Sequence, residues 1–163
     1  MKNIEVLNLV ESLNSNAEEL KKLKGAKFAY CIIKNIEALN SEAKIIQSIH
    51  TISDKYKEYD SKRIEICEKY ADRDDNGEII KNYITEKSFE YKLDLSNQEF
   101  INEMESLARE YNDTLVESNE KTLEYNRFLM SESGINFTKI DIDSIPNDIS
   151  VELLAIIRPF IID

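Results

Sequence analysis

The stretch "FEYKLDL", Phe89 to Leu95, alternates without exception. Phe89, Tyr91, Leu93 and Leu95 fall on one side, with Glu90, Lys92 and Asp94 on the other. Only the two-residue repeat of a β-strand gathers those four apolar residues on one face. The preceding "IIKNYI", Ile79 to Ile84, is β-branched and aromatic enough to be its partner. "TEKS", Thr85 to Ser88, supplies the connecting turn. The chain on either side reads with a helical period, so this hairpin separates two helical halves.

Upstream, apolar residues run Ile32, Ile36, Leu39, Ala43 and Ile46. They continue through Ile49, Ile52, Tyr56, Tyr59, Ile64, Cys67 and Tyr70. The mean step is about 3.5 residues, which predicts a coiled-coil-like stripe along one helix on the order of 45 residues long. Gly25 follows the Lys-rich "EELKKLK" and suits the left-handed residue that closes a short first helix. Ser15 and Glu18 have capping-box spacing for that helix.

Downstream, Ser96 and Glu99 repeat the capping-box spacing. A second stripe follows: Phe100, Met104, Leu107, Tyr111, Leu115, Thr122 and Leu129. Gly134 stops it. "INFTKIDIDSIP" is extended, and Pro146 leads into a last helix capped by Ser150 and ended by Pro159.

The expected fold is mainly α: two long antiparallel coiled-coil-like helices joined by a small β-hairpin, with short N- and C-terminal helices. As one domain, 1–163, it divides into an N-terminal helical segment (1–25), a long helix (26–71), turn and hairpin (72–95), a second long helix (96–133), and an extended segment with the C-terminal helix (134–163). Equal rise per residue puts partner numbers near a sum of 170, so that Tyr59 faces Tyr111, Ile66 faces Met104 and Tyr56 faces Leu115. Segment 135–145 receives no partner from its pattern. Ile33, Ile45 and Ile66 widen the first stripe beyond what one helix covers, so a homodimer is expected.

"DRDDNGEII", Asp72 to Ile80, opens like an EF-hand loop, with Asp72, Asp74 and Asn76 as candidate metal ligands and Gly77 at the bend. The twelfth position, however, is Tyr83, which cannot supply the closing bidentate carboxylate, and a strand follows where a helix is needed. The expectation is a turn, in which Asp bonds its own backbone and Asn-Gly tolerates positive φ. His50 stands alone without a Cys or His near it and reads as a helix-flank residue. Tyr56, Tyr59, Tyr70 and Tyr111 read as core with their hydroxyls at the rim. Cys31 and Cys67 read as free thiols. No nucleophile–base pair, phosphate loop or metal motif is found, so neither an enzyme nor a cofactor is expected.

The net charge is −11, and it is unevenly placed: +1 over residues 1–71 against −12 over 72–163. Such a surface repels nucleic-acid phosphates and anionic membranes and favours a protein partner with a basic surface. Glu99, Glu103, Glu110, Asp113, Glu117, Glu120 and Glu124 recur at helical spacing, a carboxylate stripe about 35 Å long. Glu110, Asp113, Glu117 and Glu120 are the expected partner-binding face.

"KFAYCIIKNIEAL" (Lys27 to Leu39), "EKYADRDDNGE" (Glu68 to Glu78) and "ISVELLAIIRPFI" (Ile149 to Ile161), with "FINEMESLAREY" (Phe100 to Tyr111) between them, give the chain a family likeness. It resembles small uncharacterised proteins of tailed phages and prophages of low-GC Gram-positive bacteria, over most of residues 25–163. The resemblance implies phage origin and the host bacterial cytoplasm, and it brings no catalytic residues. Two functions compete: an accessory protein that binds a host defence factor, and a virion or tail-assembly scaffold or chaperone-like spacer.

Overall fold

The computed structural model describes residues 1–85 and 88–162. It is mainly helical, with a small antiparallel sheet between helices. Its contacts gather the chain into two compact units, Met1–His50 with Leu123–Asp163, and Thr51–Thr122.

The first unit holds the main core. Helix α1 (Asn3–Ser15) buries Val6, Leu9 and Leu13, one face at three- and four-residue spacing, and packs on α3 (Ala26–Ile49). The one-turn α2 (Ala17–Leu20) lies between them in sequence. Phe28, Leu39 and Ile46 of α3 are buried in the same cluster. Leu153 and Ile157 of α7 (Val151–Ile157) join it, as does Phe160 in the short 3-10 turn that follows. Ser150 caps α7 as expected, accepting a hydrogen bond from the Leu153 N–H at 3.1 Å.

Two buried asparagines clip irregular chain onto this core. Asn35, on α3, donates through Nδ2 to the Thr138 carbonyl at 2.9 Å and accepts the Thr138 N–H at 2.7 Å. Asn3 donates to the Phe128 carbonyl at 2.9 Å, satisfying an end of α6 (Asn112–Met130). Segment 135–145 thus docks along α3 rather than lying apart, and Ile140 bridges Ile161 in parallel fashion.

In the second unit α4 (Asp54–Tyr70) and α5 (Gln98–Glu110) pack against each other in antiparallel sense. Their ring contacts are Tyr59 with Tyr111 at 5.7 Å and Tyr70 with Phe100 at 5.7 Å, both at the expected sum. The hairpin pairs β1 (Lys81–Thr85) with β2 (Ser88–Tyr91), matching Lys81 to Tyr91 and Tyr83 to Phe89, with a bulge between Tyr83 and Thr85. Glu86 and Lys87, the middle of the expected "TEKS" turn, lie outside the described residues. Phe89 stacks edge-on against Tyr91 at 5.3 Å, on the side that the alternation assigns. Leu95 stands beyond the end of β2, 72% exposed.

Several expectations need correction. The expected helix 26–71 is two helices, broken at His50–Ser53. There Ser53 takes an extended conformation, and its hydroxyl caps α4 by accepting the Tyr56 N–H at 3.2 Å. Consecutive β-branched Thr51 and Ile52, followed by Ser-Asp, favour a cap over a continued helix. The apolar stripe ran through the break because Ile49 and Ile52 kept its spacing, although both are exposed. The second helix, expected over 96–133, is likewise divided, at Tyr111, whose φ of −106° and ψ of 18° leave the helical region. Its cap is Asn97, accepting the Glu99 and Phe100 N–H groups; Ser96 is held instead by Asp94. Ser15 lies within α1 and makes no capping box with Glu18. Gly25, at φ 126°, opens α3 rather than closing the helix before it.

Candidate functional site

The four acidic residues expected to bind a partner all lie in the second unit and all are exposed. They do not share one continuous helix. Glu110 is the last residue of α5, and Asp113, Glu117 and Glu120 lie on α6 beyond Tyr111.

Glu110 belongs to a cluster built around Tyr111. The Tyr111 hydroxyl donates to Glu58 Oε1 at 2.6 Å and accepts from Lys62 Nζ at 2.7 Å. Lys62 also reaches Glu110 and Glu58, each at 3.2 Å, and lies 4.9 Å from the Tyr111 ring centre. The hydroxyl, and then Lys62, hold the Glu58 carboxyl below its ordinary range. Glu58 in turn pushes the Tyr111 phenol up. Glu103, further along the stripe, is bound by Lys69 at 2.5 Å and by the Tyr70 hydroxyl at 2.9 Å, which lowers its carboxyl too. Tyr111, buried, and Tyr70, half-buried, therefore place their rings between α4 and α5 and spend their hydroxyls on carboxylates at the rim, while Tyr56 and Tyr59 are half-buried beside them.

On α6 the picture differs. Glu117 pairs with Lys121 at 2.6 Å, one turn on, and is thereby kept ionised below the usual carboxylate range. Asp113 sits in the first turn of α6, where the helix dipole favours a negative charge, and accepts a bond from Asn112 Nδ2 at 3.3 Å. Among the described residues neither Asp113 nor Glu120 makes a salt bridge. Val116 lies between them and is 50% exposed. Asp113, Val116, Glu117 and Glu120, at i, i+3, i+4 and i+7, share one helical face. Val116 lies off the apolar stripe, so helical period alone does not single it out; its place amid three acids at helical spacing does.

The turn at Asp74 uses its carboxylate internally. Oδ1 accepts the N–H groups of Asn76 and Glu78, both at 2.9 Å, and Gly77 takes φ 82°. Asp72 is bound to Lys92 at 2.9 Å. This is the Asx-type turn expected from the residues. His50 is exposed, with its ring 4.9 Å from that of Tyr125. Cys31 and Cys67 are buried free thiols. Among the described residues no three His, Cys, Asp or Glu side chains gather as a metal site, and no helix is long and apolar enough to cross a membrane.

No known protein family, no curated protein and no solved structure matches the chain.

Proposed function

We propose that this chain is a phage or prophage accessory protein that works in the host bacterial cytoplasm by binding another protein, without chemistry of its own. The partner has a basic surface, and a host defence factor is the candidate target. The observation that carries the reading is the α6 face, an exposed Val116 ringed by Asp113, Glu117 and Glu120. An apolar centre with a charged rim is the usual anatomy of a protein contact. A coiled-coil-like pairing of α4 with α5 would hold Glu110 at the edge of that face. The unit that bears it carries a net charge of −8, against −3 for the other. Such a field speeds encounter with a basic partner and fades with salt over roughly 8 Å.

The test is affinity purification with cross-linking from phage-infected cells, comparing the wild type with Glu110, Asp113, Glu117 and Glu120 all changed to Lys. The wild type should retain a basic protein in a salt-sensitive manner. The quadruple variant should lose it while its far-UV circular dichroism stays unchanged. Equal retention with the same salt dependence would sink the proposal.

A further inference from the structure

Helix α3 is two-faced in an unusual way. One face buries Phe28, Ile32, Leu39 and Ile46 in the core of the first unit. The opposite face ought to be polar if it met only water. Instead Tyr30, Ile33 and Ile45 stand there at 59%, 56% and 55% exposure. Of the three isoleucines that suggested a homodimer, Ile33 and Ile45 are thus open, while Ile66 is half-buried on α4.

The charges on the same face carry an order of their own. Glu37 and Lys44 lie seven residues apart, close to one line of the helix, with the small exposed Ser41 between them. That arrangement is self-complementary. A two-fold axis passing between Asn40 and Ser41 runs a second α3 antiparallel to the first. It sets Glu37 opposite Lys44 of the second copy, and Lys44 opposite Glu37. One symmetry operation satisfies both charges, as an isologous contact requires. Ser41 at the crossing lets the two backbones come close. The apolar group of Ile33 lies near the axis line and is covered by the crossing, while Ile45 and the Lys34 stem stand at its rim.

We propose that the outward face of α3 is a docking surface for a second copy of this chain, paired antiparallel through reciprocal Glu37–Lys44 contacts. The helix is about 36 Å long, and one helix face buries less than the roughly 800 Å² per partner of a standard stable interface. The dimer is therefore a weak one, with a dissociation constant on the order of tens of micromolar.

Sedimentation velocity on the full chain, from about 1 to 500 µM, reads the equilibrium directly. The wild type should pass reversibly from a 19.0 kDa monomer to a dimer. E37K and K44E should each weaken the dimer about tenfold, because each places like charges opposite one another twice. The double swap E37K/K44E should restore wild-type association. Ser41→Arg, which needs no charge matching, should abolish it. All three sites face solvent, and far-UV circular dichroism confirms that the variants fold; should the swap fail that check, Ser41→Arg decides alone. A chain that stays monomeric throughout overturns the proposal, and the face then serves a different partner or none. A dimer indifferent to these substitutions overturns it equally, since it must form through another surface.

Discussion

The two units are stabilised in different ways. In the first, aliphatic and phenyl side chains such as Ile46, Ile140, Leu153 and Phe160 are wholly removed from water. Of the polar side chains enclosed with them, Asn35 bonds backbone at both ends of its amide, and Asn3 donates to the Phe128 carbonyl and the Ser131 hydroxyl. Among the described residues of the second, burial is confined to Cys67, Ala71, Phe100, Leu107 and Tyr111, and none of their side chains is dry to the same degree. There α4 and α5 meet through tyrosine rings whose hydroxyls bind Glu58 and Glu103, with Lys62 and Lys69 completing the pairs. Apolar burial neither titrates nor is screened by moderate salt, whereas solvent-exposed ion pairs are weak and subject to both. The difference teaches where each unit will fail. It also separates scaffold from surface, because the acidic face belongs to the unit with the thinner core.

The largest expected effect tests the cores directly. Phe160→Ala should cost about 4 kcal/mol, because a fully enclosed ring leaves a cavity that cannot collapse. Leu107→Ala, near the surface of the second unit, should cost about 2 kcal/mol. Denaturant melts, with hydrogen exchange followed separately on α7 and α5, would show the contrast; equal losses would remove it.

Next comes the Asn35 clip. Asn35→Ala leaves the Thr138 N–H and carbonyl without their partner, so about 2–3 kcal/mol should be lost. Amides of the 135–145 segment should exchange faster while those of α5 do not change. Unchanged exchange around Thr138 would mean that the other contacts, Ile140 in the core and the Lys27–Asp141 pair, hold the segment.

The smallest effect is acid sensitivity of the second unit. Glu58 and Glu103 have carboxyl groups lowered below the ordinary 4.5 by their hydroxyl and lysine partners. A lowered folded value means that their stabilising contribution is full above the unfolded value and is lost as pH falls through the folded one. Loosening between α4 and α5 should therefore begin below about pH 4.5 and be modest, since both carboxylates are open to solvent. Tyr111→Phe removes the first cause at Glu58, and NMR titration should find that carboxyl back toward its ordinary value. An ordinary value in the wild type would show the cluster to be electrostatically idle.

Much of the local architecture is readable from residue order. The alternation at Phe89–Tyr91, the Ser150 cap and the inward-turned Asp74 each follow from groups a few positions apart. The register of α4 on α5 follows from equal rise per residue away from a shared turn. Four acids could be found by spacing alone, and the Glu117–Lys121 pair is likewise local at i, i+4, but not that Lys62 would bind Glu110. Lys62 lies 48 residues from Glu110, and nothing local links them.

Period and capping act within a few residues, and they are enough for the helical class, the position of the hairpin and the inner faces of α3 and α5. Tertiary structure decided which element covers each face. A stripe records that a helix must bury one side, yet it carries no address for its partner. The stripe along α3 met α1 first of all, with Tyr125, Phe128 and Leu129 of α6 packed against the same core, and its outward apolar residues were left open. Asn35 was ordinary helix surface chemistry until the backbone at Thr138, 103 residues away, arrived to pair with it. A buried amide is tolerated only where such a partner comes to it.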